Sequence, residues 1–292
     1  MKLALGTAQF GLDYGISNPQ GQVSPLEVKQ ILRLASEVGI TTLDCAAAYG
    51  NSEAILGALP QSQHFDIVTK IPPLPDTELS IIPYFNNSIK HLKRTKIDTL
   101  LFHDVNTILQ HPHSELFCHE IKQLKAEKKV KRIGISVYTP EHIEQSLEKL
   151  SIDVVQAPLN VFDQRVCHQA TVKLLNQHNI KLHARSVFLQ GLLLMATDTW
   201  PEYFTPYLGL LGKFDALASR LQLSKLTLAL AFLLQNVHIK PYLEQLVVGC
   251  CSQSQLQQIV QSYNQAVAYP LEQLNWHEFA CHEQALINPS FW

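Results

Sequence analysis

An acid, a phenol, an amine and an imidazole stand at or just beyond the ends of successive apolar runs in this 292-residue chain. Asp44 closes Thr41-Thr42-Leu43, Tyr49 follows on the same connection, Lys70 ends Ile67-Val68-Thr69, and His103 ends Leu100-Leu101-Phe102. Singly, each has an ordinary structural role: Asp44 as a helix cap, Tyr49 as a half-buried loop aromatic, Lys70 as a solvated charge, His103 as a satisfied core histidine. Jointly, the recurrence of protic and charged groups at strand ends points to proton transfer in one shared pocket. A lysine ammonium beside a tyrosine favours the phenolate and is expected to lower the phenol pKa from its usual value of about 10, while a neighbouring aspartate keeps the lysine charged. Such a tyrosine donates a proton near neutral pH.

The elements that would bring these residues together are short apolar, β-branched runs: Lys2 to Gly6, Thr41 to Cys45, Asp66 to Lys70, Asp98 to His103, Arg132 to Ser136, Asp153 to Gln156, Lys181 to Ser186 and Leu246 to Gly249. Their near-continuous hydrophobicity suits parallel strands covered on both faces. Helical periodicity fills the intervals. Ser24-Pro25-Leu26-Glu27 is a capping box with Pro in the first turn, followed by the stripe Leu26, Ile31, Leu34 and Ala35 and stopped by Gly39. Thr139-Pro140 and Ser252 with Gln255 open two further helices, and the long interval before the last strand has room for extra ones, Lys225 to Gln235 among them. This alternation, without a linker, predicts an α/β fold: one (β/α)8 TIM barrel over residues 1–292, with a segment from about 265 to 292 packing on or over the barrel. A doubly wound sheet should carry GxGxxG after its first strand, and Gly6-Thr7-Ala8-Gln9-Phe10-Gly11 does not fit. In a barrel, all strand C-termini face one mouth.

Leu43-Asp44-Cys45-Ala46-Ala47-Ala48-Tyr49-Gly50, followed by Ser52-Glu53 and Leu56-Gly57, resembles the Asp-Thr-Ala-x-x-Tyr-Gly-x-Ser-Glu-x-x-Leu-Gly signature of the aldo-keto reductase superfamily, with Cys45 in place of Thr. The resemblance runs from Gly6 to about the helix after Gly249. It implies a carbonyl reductase in which Tyr49 protonates the developing alkoxide, Lys70 and Asp44 tune Tyr49, and His103 orients the carbonyl. A nicotinamide coenzyme is implied too, held by Gly6, Thr7, Ser136, Gln156, Arg185, Ser186, Leu189, Gly191, Gly249, Ser252 and Gln255. Arg185 replaces the family's nicotinamide-stacking aromatic, and Val137 replaces an Asn. Family habit favours NADP(H), with NAD(H) the alternative, although no Lys or Arg lies between Gly249 and Gln265 to pair with a 2′-phosphate.

The remaining composition narrows the class. Twenty-three Lys and Arg against 25 Asp and Glu give a net charge of −2, which excludes a charge-driven partnership with nucleic acid or an anionic membrane. The longest apolar run, Leu228 to Leu234, falls far short of the roughly 20 residues of a span. The opening residues lack a secretory pattern, so the expected location is cytoplasmic. Six cysteines show no zinc spacing, His111 and His113 lack co-ligands, and no metal is expected. The expected partner is a small-molecule carbonyl substrate, sugar-like by resemblance, with Gln9, Tyr14, Phe162 and Trp200 nominated near the mouth. The C-terminal aromatics Trp276, Phe279, Phe291 and Trp292 either cover that mouth or pack a terminal helix. The rival to an enzyme is a cofactor-binding regulatory or scaffold barrel with little turnover. Nothing in the pattern specifies an oligomeric state.

Overall fold

Strands too apolar to leave either face in water pair in parallel and are covered by helices. In the computed structural model, which describes residues 1–270 and 274–292, the strands are β1 (Leu3–Gly6), β2 (Thr42–Asp44), β3 (Asp66–Ile71), β4 (Ile97–Phe102), β5 (Val130–Ser136), β6 (Val154–Pro158), β7 (Lys181–Arg185) and β8 (Leu243–Gly249). They pair in chain order, and β8 closes on β1 in a register running from Leu3 opposite Leu246 to Gly6 opposite Gly249. The fold is a single-domain (β/α)8 barrel, and each expected run is a strand with its ends moved by a few residues.

The outer layer holds α1 (Pro25–Glu37), α2 (Ser52–Ala58), α3 (Ile82–Leu92), α4 (Ser114–Ala126), α5 (Glu141–Leu147), α6 (Gln169–Gln177), α7 (Leu208–Arg220), α8 (Lys225–Gln235) and α9 (Gln253–Ala268). Helix α1 starts where Ser24 Oγ accepts from Glu27 N and ends before Gly39, whose φ of +81° suits only glycine without strain. Its buried stripe is Val28, Ile31, Leu32 and Ala35 at i, i+3, i+4 and i+7. Leu26 is a correction: it sits off that stripe and is 69% exposed. Helix α5 starts at Pro140 without a side-chain cap from Thr139. Helix α8 is apolar all round because Thr227 to Leu234 are all buried beneath its neighbours. Among the described residues no single helix is long and apolar enough to cross a membrane.

Strand alternation decides what enters the barrel. On β3, Thr69 faces outward and donates to Glu53 Oε1 of α2 at 2.6 Å, whereas Val68 and Lys70 face inward. Val68, Leu101 and Val154 form a small apolar plug, and a Cβ at Gly134 would come within 2.3 Å of Val154 O. Toward the strand N-termini lies a polar network. There Arg132 donates to Glu244 Oε2 at 2.6 Å and to Thr99 Oγ1 at 3.0 Å, and His183 Nε2 lies 2.8 Å from the same Glu244 oxygen. Beyond the barrel, Trp276 packs edge-on against Phe232, Phe279 against Phe214, and Trp292 against Phe204, while Phe291 is exposed. Within the expected 265–292 segment, residues 271–273 lie outside the described residues.

Candidate active site

The inward positions at the C-terminal ends of β2, β3, β4 and β6 converge. Lys70 Nζ donates to Asp44 Oδ1 at 2.6 Å and Cys45 O at 2.8 Å, and reaches Tyr49 Oη at 3.5 Å. The second Asp44 oxygen accepts from Gln156 Nε2 at 2.6 Å, so a side chain 112 residues away completes the carboxylate. Lys70 is 1% exposed and Asp44 2%. A buried ion pair of this kind is tolerable because the ammonium meets three acceptors and both carboxylate oxygens are bonded. The Tyr49 loop is held by a close backbone approach: Gly50 has a φ of +55°, and a Cβ there would lie 2.3 Å from Gly11 O. A Cβ at Gly11 would in turn lie 1.9 Å from Tyr49 O. His103 meets the Tyr49 ring edge-on with centroids 5.6 Å apart.

Electrostatics assign protonation states. Burial alone would strip the Lys70 proton, but interactions led by the Asp44 carboxylate outweigh it and hold the Lys70 pKa above its ordinary value. Burial pushes the Tyr49 pKa up, with Lys70 pulling the other way. The expected lowering of the Tyr49 pKa is therefore corrected, because loss of water around the phenol exceeds the help from the ammonium. Burial, then the Lys70 and Arg185 charges, lower the His103 pKa to about 4, so its imidazole is neutral at neutral pH. His103 Nδ1 is buried with no hydrogen-bond partner among the described residues.

These groups open onto a cavity of about 730 Å³ that runs to the start of α9. Of the residues singled out from sequence, Gly6, Thr7, Asp44, Tyr49, His103, Ser136, Gln156, Arg185, Ser186, Gly191, Gly249 and Gln255 line it. Lys70 acts from beneath, through Asp44 and Tyr49. Leu189 is fully buried in the core, and the Ser252 hydroxyl accepts from Gln255 N; neither lines the cavity. Gln9 and Tyr14 line the mouth, whereas Phe162 is buried and Trp200 packs near Lys225. Arg185 lies with Cζ 4.2 Å over the ring of Tyr138 and its Nη2 3.3 Å from Val137 O, so its stacking partner is the protein's own tyrosine. Sequence reasoning missed Tyr138, although it lies two residues beyond Ser136 on the same side of the chain. It also missed Ser17 and Asn18, for which no pattern existed. Ser17 Oγ donates to Gln190 O at 3.1 Å and joins the loop after β1 to the loop after β7. There Ser186, Leu189 and Gln190 all have positive φ.

The family model described as the aldo/keto reductase family matches residues 2–275. The oxidoreductase YqkF of Bacillus subtilis is 28% identical over 207 residues, covering 66% of this chain and 66% of its own length. The oxidoreductase sirO of Leptosphaeria maculans is 26% identical over 208 residues, covering 66% of this chain and 61% of its own length. The match thus spans just under two thirds of those relatives. Among solved structures, the aldo-keto reductase AKR11C1 from Bacillus halodurans in its holo form superposes with a TM-score of 0.74 at 19% identity, over 97% of this chain and 94% of that one. That likeness speaks for the barrel, and the family model spans the barrel from its first strand past its last, so this chain belongs to the aldo/keto reductase family.

Proposed function

We propose that this protein is an oxidoreductase that reduces an aldehyde or ketone to an alcohol with a nicotinamide dinucleotide coenzyme. The observation that carries this reading is the phenol of Tyr49, opening onto the cavity above a buried ammonium and beside a neutral imidazole. The residues suit the coenzyme. Gln156 spends its amide nitrogen on Asp44 and has its carbonyl oxygen left to accept from a carboxamide NH2, while Ser136 has a hydroxyl to donate to the carboxamide oxygen. At the far end Gly249 keeps the wall thin, since a Cβ there would lie 2.5 Å from Gln9 Nε2.

The bound coenzyme supplies the hydride. Tyr49, whose pKa lies above its ordinary value and which is therefore protonated at rest, gives its proton to the oxygen that becomes the alcohol. Lys70 then faces the phenolate and stabilises the charge left behind, and Asp44 keeps Lys70 charged and aimed. Neutral His103 donates a hydrogen bond to the carbonyl oxygen as negative charge develops. The polar mouth, with Gln9 and Gln190 among its lining residues, suits a hydroxylated, sugar-like carbonyl compound.

The test is oxidation of NADH and NADPH, followed by absorbance, against a panel of aldehydes, sugars and dicarbonyls, with Tyr49→Phe run alongside. The variant should fold as the wild type does and lose activity by about 10²- to 10⁴-fold. Equal turnover by the variant would refute the role given to Tyr49.

A further inference from the structure

Arg185, the last residue of β7, brings the cavity a positive charge that no carboxylate among the described residues balances. The acidic side chain on the same wall, Asp44, is already paired with Lys70 and bonded by Gln156, so that pair adds no net charge. His103 is neutral at neutral pH. Among the described residues Arg185 is the sole Lys or Arg lining the cavity, and its contacts are with neutral groups. Its Nη1 lies 3.4 Å from Ser186 Oγ and its Nη2 3.3 Å from Val137 O, both long for guanidinium donors, and Tyr138 covers one face. A guanidinium has five N–H donors, so most of this fork is unspent. A half-buried cation without a counter-charge is costly, and Tyr138 offsets only part of that cost. The charge also acts on Tyr14, Tyr49 and His103, so it stands within electrostatic reach of the reacting oxygen.

We propose that Arg185 is a specificity-determining residue that binds a carboxylate of the substrate, so that the carbonyl compound reduced at Tyr49 is an oxo acid; this rests on the reductase reading above. A carboxylate matches the planar fork with two parallel hydrogen bonds and balances the single free charge. A phosphate dianion would leave one charge over, because Lys70 is buried beneath and committed to Asp44. Tyr138 fixes the plane of the guanidinium from one side and leaves its edge for the ligand. The product is a hydroxy acid: the hydride of the reduced coenzyme joins the carbonyl carbon, the Tyr49 proton joins the carbonyl oxygen, the coenzyme leaves oxidised, and the carboxylate is unchanged.

The experiment measures kcat/KM for glyoxylate, succinic semialdehyde and 4-carboxybenzaldehyde, each beside its uncharged methyl ester, and for glyceraldehyde 3-phosphate beside glyceraldehyde. The wild type, Arg185→Gln and Arg185→Lys are compared. The readout is the acid-to-ester ratio within one protein, so any effect of the substitution on folding or on coenzyme binding divides out. In the wild type that ratio should be about 10- to 100-fold for at least one pair, and it should fall as salt is added. Arg185→Gln should bring it to about one or below, and Arg185→Lys, which keeps the charge and loses the fork, should fall between. A wild-type ratio near one for every pair overturns the proposal, as does a ratio unmoved by Arg185→Gln or a larger preference for the phosphorylated aldehyde. If acids, esters and aldehydes all leave the reduced coenzyme unconsumed, the reductase reading falls and this inference with it, whereas turnover of the esters without preference for the acids overturns the inference alone.

Discussion

Acidification from about pH 7 to about pH 5 should cost this protein stability through His103. Its folded-state pKa is lowered from 6.5 to about 4 by burial first, then by the positive charges of Lys70 and Arg185. Between those values the unfolded chain binds the proton and the folded chain does not. The contribution of His103 is therefore fully present above about pH 6.5 and is lost as pH falls through about 4. A shift of this size corresponds to about 3 kcal/mol over the whole window and roughly 2 kcal/mol at about pH 5. The ring is partly open to the cavity, and solvent screening trims the latter to about 1–2 kcal/mol. At about 2–4 °C per kcal/mol for a chain near this length, the melting temperature should fall by several degrees for this reason. The assay is urea unfolding followed by tryptophan fluorescence at stepped pH values, with the wild type beside His103→Gln. Glutamine keeps a neutral donor and cannot titrate. The stability difference between the two proteins should shift by about 1–2 kcal/mol toward the variant as pH falls from about 7 to about 5. Parallel curves would refute the claim that the folded site resists imidazolium.

Lys70→Met should destabilise the fold by about 3–5 kcal/mol, because it leaves the Asp44 carboxylate buried with Gln156 as its remaining side-chain partner. Chemical denaturation measures this, and adding Asp44→Asn should recover part of the loss; a double variant less stable than Lys70→Met would contradict it. At the other end of the barrel, Glu244 is held down to about 2, first by its hydrogen bond with His183 and then by Arg132, against the opposing effect of burial. Its stabilisation is present above the unfolded value of about 4.5 and lost as pH falls through about 2. With the side chain 31% exposed, Glu244→Gln should cost about 2 kcal/mol at neutral pH, fading below about pH 4.5. A pH-independent cost, read from unfolding curves, would refute the charge argument.

The barrel was legible in the chain because each strand is an apolar run of its own and several helix starts carry a local device, as Ser24 and Ser252 do. Asp44, Tyr49, Lys70 and His103 were legible for the same reason: a strand end is a sequence position, and in a closed parallel barrel all such ends share one mouth. What distant segments decide was not legible. The Gln156 amide on Asp44 joins residues 112 positions apart, and the rise in the Tyr49 pKa depends on how completely other loops exclude water from the phenol. Leu26 was misread because helical spacing alone did not say which arc of α1 meets the barrel. The contact of Arg185 with Tyr138 and the reach of Glu27 to α9 likewise join separate segments. The Arg132, Glu244 and His183 network inside the barrel left no mark in the pattern at all. Sequence periodicity reports which face of an element is apolar. Desolvation, charge pairing and the direction of a long side chain depend on what the fold brings against that face, and only the tertiary structure supplies it.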